Sequence, residues 1–213
     1  MLLKIKRVIK NHIPKQLLIT SLVKNSTDRV LLTFDDGPHP EVTDQVLVLL
    51  KKHNVKAVFF IPGRRIARAP YLLSRIIKDG HEIGNHSYIH SRDKQPLLIH
   101  YIKDLIKCQR EIERYSGMKP KLFRPPKGII SPTTLLSSVI VGLRTITWSL
   151  DVRDWQCKSK NDAVTASWKL LQMVKAGDII LLHDDNPCVI DILEIILPEL
   201  KKRGLNISDA NVL

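Results

Sequence analysis

Cysteine is scarce in this sequence and follows no framework. Cys108, Cys157 and Cys188 are odd in number, far apart and without a C-x-x-C pair. That excludes a disulfide-stapled scaffold and points to a reducing compartment. Long hydrophobic runs are also missing: no stretch approaches the roughly 20 apolar residues that span a bilayer. The opening MLLKIKRVIK alternates charge with aliphatics instead of presenting an unbroken apolar core, and no cleavage site follows, so it does not read as an export signal. The expected location is therefore the cytoplasm, with a peripheral place at the inner membrane face as the variant. Acidic residues are short as well, 21 against 34 Lys and Arg, for a net charge of +13. Such an excess suggests an anionic partner, but no basic-aromatic stripe or nucleic-acid-binding motif accompanies it, and nucleic acid is not the expected one.

What is present is ordinary for a globular chain: 213 residues, 44% hydrophobic and 26% charged, enough for one domain with a substantial core. The positive charge is uneven. Residues 1–29 carry seven Lys or Arg (4, 6, 7, 10, 15, 24 and 29) against one acid, Asp28. Residues 1–28 read as a basic amphipathic extension broken by Pro14. Two readings stand side by side: residues 1–24 anchor on an anionic membrane surface, or the extension is solvated with its aliphatic side packed on the domain.

From Arg29 the pattern alternates between strands and helices. Strands are expected at 30–34, 56–61, 81–84, 121–124, 143–149, 178–182 and 205–207. Helices are expected at 43–53, with Val46, Leu47, Leu49 and Leu50 inward, and at 71–78, ending at Asp79-Gly80. A long helix is expected at 96–115 with a core stripe of Leu98, Ile102, Leu105, Ile106 and Ile112. The rest are 132–141, with Ser131 as N-cap and Pro132 at the first position, 162–175, and 189–203 interrupted by Pro198. About seven β/α repeats argue for a parallel sheet covered by helices, as a barrel or an open sheet, in a single domain over residues 29–213.

The polar residues gather where these strands end. Asp35 and Asp36 follow the first strand, His86 and His90 the third, Arg124 the fourth, Asp151 and Asp154 the fifth, and His183 the sixth. In parallel α/β folds that edge builds active sites. Two imidazoles four residues apart can share one ion, and with a carboxylate they make a His/His/Asp set with open positions, suited to Zn²⁺ or another divalent transition metal. Adjacent side chains diverge at a strand end, so of Asp35 and Asp36 one can bind metal while the other stays free as a base. His183 is a candidate acid. Cys157 has no evident base beside it and reads as an inert thiol.

In order, Thr33–Pro38 (TFDDGP), His86–His90 (HSYIH), Arg124–Gly128 (RPPKG), Asp151–Trp155 (DVRDW) and Leu181–His183 (LLH) resemble the five motifs of the polysaccharide deacetylases, the NodB-homology group of carbohydrate esterase family four. The resemblance covers roughly residues 29–208. It implies a distorted (β/α) barrel and metal-dependent removal of an N-acetyl group from an amino sugar of an oligosaccharide, polysaccharide or glycan precursor. It further implies Zn²⁺, with Co²⁺ as the alternative, on Asp36, His86 and His90. Asp35 would be the base oriented by Arg124, and His183 the acid oriented by Asp154. The backbone N–H of Lys127 would face the oxyanion, and Trp155 and Leu181 would line an acyl pocket. Where the family usually has an aromatic residue this chain has Lys127, whose side chain either brings positive charge to the mouth of the site or points to solvent. Two alternatives remain: a deformylase or deacetylase of a lipid-phosphate-linked amino sugar, and a non-catalytic glycan- or membrane-binding module. The second predicts a broken motif, and base, acid and all three ligands are intact.

Overall fold

The computed structural model describes residues 17–22, 28–90, 97–209 and 211; the expected basic amphipathic helix lies largely outside these. The described strands are β1 (Leu18–Ile19), β2 (Arg29–Asp35), β3 (Val58–Ile61), β4 (Glu82–Asn85), β5 (Leu122–Phe123), β6 (Arg144–Ile146), β7 (Leu150–Asp151), β8 (Ile179–His183) and β9 (Asn206–Ser208). All pair in parallel in one sheet of order β1-β6-β5-β4-β3-β2-β8-β7, with β9 also on β2. The sheet curls into a distorted (β/α) barrel, as the resemblance implies. Its helices are α1 (Val42–Lys52), α2 (Tyr71–Lys78), α3 (Leu98–Ser116), α4 (Pro132–Ile140), α5 (Lys160–Met173) and α6 (Cys188–Lys202).

β2 is buried from Val30 to Asp35, and its period of two divides the core. Val30, Leu32 and Phe34 join a large cluster with residues of α1, α2, α5 and α6. Leu31 faces the other way, into a smaller cluster with Ile19, Val58, Phe60, Leu122, Ile146 and Ile179. That second cluster draws on strands and on Leu22, not on the helices, so it fills the concave side of the sheet. Thr33 and Asp35 share the parity of Leu31. A carboxylate is thereby aimed into the barrel, while burial of each large apolar neighbour contributes about 1.5–3 kcal/mol.

Several expectations are corrected. The strand foreseen at 143–149 is shorter, β6 ending at Ile146, and a further strand, β7, follows beyond Ser149 at a different place in the sheet: β6 pairs with β5 and β1, β7 with β8. Together with β1, which draws two residues ahead of Arg29 into the sheet, β7 raises the number from the seven expected strands to nine among the described residues. α5 begins at Lys160 instead of 162 because Ser159 and Asp162 cap each other's amides reciprocally. α6 is not interrupted at Pro198. Proline removes one amide donor there, but Leu193, Ile196, Leu197 and Leu200 are buried around it and hold the helix in line. The buried face of α3 is Tyr101, Leu105, Cys108, Gln109 and Ile112; Leu98 is exposed and Ile102 and Ile106 are only half-buried. The Ser131 cap with Pro132 at the first position of α4, and the inward Val46, Leu47, Leu49 and Leu50 of α1, are as expected.

Candidate active site

The two adjacent carboxylates part at the end of β2. Asp35 continues the strand and points inward, whereas Asp36 adopts φ 73° and opens over the sheet edge. Asp35 is 3% exposed and meets Arg124, which is fully buried. One guanidinium nitrogen of Arg124 donates to Asp35 Oδ1 and to Thr33 Oγ1, each at 2.8 Å. The other donates to the Thr147 carbonyl at 3.3 Å, and the group lies over the Phe60 ring. A charge so deep needs such partners, and of its nitrogens only Nε is left without one.

The backbone of Arg124 has its own part. Its carbonyl lies 2.7 Å from His86 Nδ1 and can only accept, so Nδ1 carries the hydrogen and Nε2 keeps a free lone pair. His86 Nε2 is 3.6 Å from Asp35 Oδ2, and His90 Nε2 is 3.3 Å from Asp36 Oδ1. Ligand atoms of Asp36, His86 and His90 all lie within 4.8 Å of one another, whereas Asp35 stands outside this group. Asp36 Oδ1 is buried with no hydrogen-bond partner. A buried carboxylate oxygen left so beside two imidazoles is what a divalent cation would satisfy, and the residues fit one. Burial and the neighbouring His86 push His90 down to about 4 despite Asp36, keeping its imidazole neutral and able to ligate. Burial works against the charge of Asp36, yet His86, His90, Arg65 and His183 together hold its carboxyl below the usual value. Arg65 also donates to the Asp36 carbonyl and pairs with Asp185 at 2.6 Å.

On the other side stands His183, at the end of β8. Its Nδ1 is 2.9 Å from Asp154 Oδ1, and its backbone N–H donates to Asp154 Oδ2 at 2.7 Å. Burial opposes the imidazolium, but the hydrogen bond and charge of Asp154, with Asp35 and Asp36 behind them, raise His183 to about 9. Asn186 fixes the turn carrying Asp154 by donating to the carbonyls of Asp154 and Cys157. Asp151 does not join this pair; its carboxylate accepts the Arg153 N–H at 2.6 Å. Lys127 is exposed in the turn after Arg124 with φ 56°, an uncommon conformation for a residue with a side chain. Leu181 is buried in β8, and Trp155 is 55% exposed next to Asp154.

The structure therefore brings Asp35, Asp36, His86, His90, Arg124, Asp154 and His183 to one edge. Sequence reasoning missed Asn85, Asp104 and Asp184. Asp184 is buried behind the Thr33–Pro38 turn, where Thr43 Oγ1 donates to it at 2.5 Å. A Cβ at Gly37 would fall 2.1 Å from Asp184 Oδ2, so a side chain there would force Asp184 out of its place. The adjacency of Asp184 to His183 was the one available signal.

A buried carboxylate and an imidazole paired across adjacent strands, Asp35 and His183, beside a candidate Asp/His/His metal cluster make a layout compatible with hydrolysis of a polar substrate. The comparisons with known proteins agree. The polysaccharide deacetylase family model matches residues 23–146, and the chain belongs to that family as a hydrolase of the polysaccharide deacetylase type. It is 37% identical over 191 residues to a peptidoglycan-N-acetylglucosamine deacetylase of Bacillus cereus, covering 87% of this chain and 88% of that one. It is 33% identical over 198 residues to the peptidoglycan-N-acetylglucosamine deacetylase PgdA of Listeria monocytogenes, covering 92% of this chain but only 41% of that protein's length. Among solved structures, a family 4 acetyl xylan esterase of Clostridium thermocellum in complex with a cobalt ion superposes with a TM-score of 0.77 at 34% identity, over 86% of this chain and 88% of that one.

Proposed function

We propose that the protein removes the N-acetyl group from an N-acetylated amino sugar within a glycan, with Zn²⁺ or Co²⁺ held by Asp36, His86 and His90. The observation that carries this reading is the convergence of those three ligand atoms beside Asp35 and His183. Support for the substrate class comes from the relatives, named for acetylated amino sugars of peptidoglycan. A divalent ion in the triad supplies Lewis acidity to the amide carbonyl and makes water more acidic.

The residues of the chain do the rest. Asp35, held by Arg124 and left out of the ligand group, takes a proton from water as its oxygen forms a bond to the amide carbon. The backbone N–H of Lys127 is the donor offered to the oxyanion. His183, with Nδ1 engaged by Asp154, has Nε2 free to give its proton to the departing nitrogen as the C–N bond breaks. Water is consumed, and acetate and a free amine leave. A pKa of about 9 keeps His183 protonated at neutral pH, the state an acid needs. Leu181 and the adjacent Trp155 are assigned to the acyl methyl.

The test is Asp35→Asn, assayed by acetate release from N-acetylated oligosaccharide and from peptidoglycan, with metal content measured in parallel. Turnover is expected to fall at least 10²-fold, roughly the share of a general base, with metal retained. Loss of the metal in this variant would overturn the division between base and ligand. Wild-type turnover that survives exhaustive chelation would overturn the metal assignment.

A further inference from the structure

The segment carrying the second imidazole is held in a conformation it would not choose alone. Ser87 and His90 have φ of 61° and 54°, in the left-handed region that side chains disfavour. Its backbone groups are met from three sides. The amides of Gly63 and Arg64 donate to the carbonyls of Ser87 and Tyr88, each at 3.0 Å. Within the segment, Ser87 N–H donates to Asn85 Oδ1 at 2.8 Å and His90 N–H to Ser87 Oγ at 3.0 Å. The remaining two amides, of Tyr88 and Ile89, go to one side chain on α3: Asp104 accepts from Tyr88 through Oδ2 at 2.7 Å and from Ile89 through Oδ1 at 3.0 Å. One turn further along α3, Lys107 places its ammonium 3.8 Å from the centre of the Tyr88 ring. A Cβ on Gly63 would meet that ring at 2.3 Å, so the half-buried tyrosine also packs closely on Gly63.

We infer that Asp104 is a positioning residue for the metal site: its two carboxylate oxygens, each on one amide, fix the turn that aims His90 at Asp36 and His86. This rests on the metal reading of Asp36, His86 and His90. The geometry is specific to a carboxylate. An asparagine presents one oxygen and one donor, and so can serve only one of the two amides. The clamp arrives from another element, so removing it leaves the local sequence of the ligand segment unchanged. A ligand freed in this way costs affinity, and loss of such an outer partner typically weakens metal binding by roughly 10–100-fold.

The test measures Zn²⁺ affinity by competition with a chromogenic chelator in full-length wild-type protein, Asp104→Ala, Asp104→Asn and His90→Ala, together with the visible spectrum of each after Co²⁺ loading. Asp104→Ala is expected to bind Zn²⁺ roughly 10–100-fold more weakly, with Asp104→Asn between it and wild type, and with a changed Co²⁺ spectrum. A role confined to stability would lower the denaturation midpoint of the metal-free protein while leaving affinity and spectrum as in wild type, and that result overturns the proposal. If Asp104→Ala does not fold, Asp104→Asn decides alone: affinity within twofold of wild type, roughly the resolution of such a comparison, overturns it. Wild-type affinity in His90→Ala would instead overturn the underlying metal reading.

Discussion

The buried pair of His183 and Asp154 sets a pH dependence of stability whose size can be worked out. The imidazole titrates at about 9 in the folded protein against 6.5 as the ordinary value, a difference worth about 3 kcal/mol. His183 binds its proton more tightly folded than unfolded. The extra stability is therefore fully present below the unfolded value of 6.5 and is lost as pH rises through the folded value of about 9. Asp154→Asn removes the hydrogen-bonded charge and leaves burial, which favours the neutral ring, opposed only by the charges of Asp35 and Asp36. The variant also loses part of the bond to the His183 amide, a cost that does not depend on pH. Urea denaturation of metal-free wild type and variant should show a stability gap that narrows by up to about 3 kcal/mol between pH 6 and pH 9.5, other titrating groups cancelling between the two proteins. Imidazole NMR titration of His183 gives the same quantity directly. A gap that stays constant across this range would refute the argument. A cation on Asp36 repels the imidazolium, so the effect should shrink once metal is loaded.

Arg124→Leu should destabilise the fold by about 3–5 kcal/mol in urea denaturation, because Asp35 is left buried without its partner; a loss under about 1 kcal/mol would mean that the pair is not what holds the carboxylate. Deleting residues 1–16 should weaken co-sedimentation with phosphatidylglycerol vesicles and leave turnover of a soluble oligosaccharide unchanged; undiminished vesicle binding eliminates the anchor. The deletion must stop there, since Leu18, Ile19 and Leu22 are buried in the barrel.

The sheet edge bearing the site was legible because parallel strands end in polar residues for few reasons other than chemistry: Asp35, Arg124 and His183 each follow apolar residues, and His86 stands four residues from His90. The parity that sends Asp35 inward also follows from the alternation within β2. Less legible were features fixed by contacts distant in sequence. Nothing in the sequence of residues 143–151 tells that Thr145 pairs with Leu18 while Leu150 pairs with Ile180. Periodicity on α3 picks out Leu98, but burial depends on which neighbours cover that end. Asp104 has no motif at all: its partners are amides, which every residue possesses, and only the path of the chain brings them to it.

Arg124 touches Asp35 with its side chain and His86 with its carbonyl. The two are thus registered to one datum, like parts bored on the same jig. A displacement of the segment after β5, whether from a neighbouring substitution or from thermal motion, carries His86 and Asp35 the same way. The spacing of His86 and Asp35 is then tied to one residue and not to the helices around the barrel. A substitution at this one arginine takes away the support of Asp35 alone, because the carbonyl that His86 uses belongs to the backbone and stays.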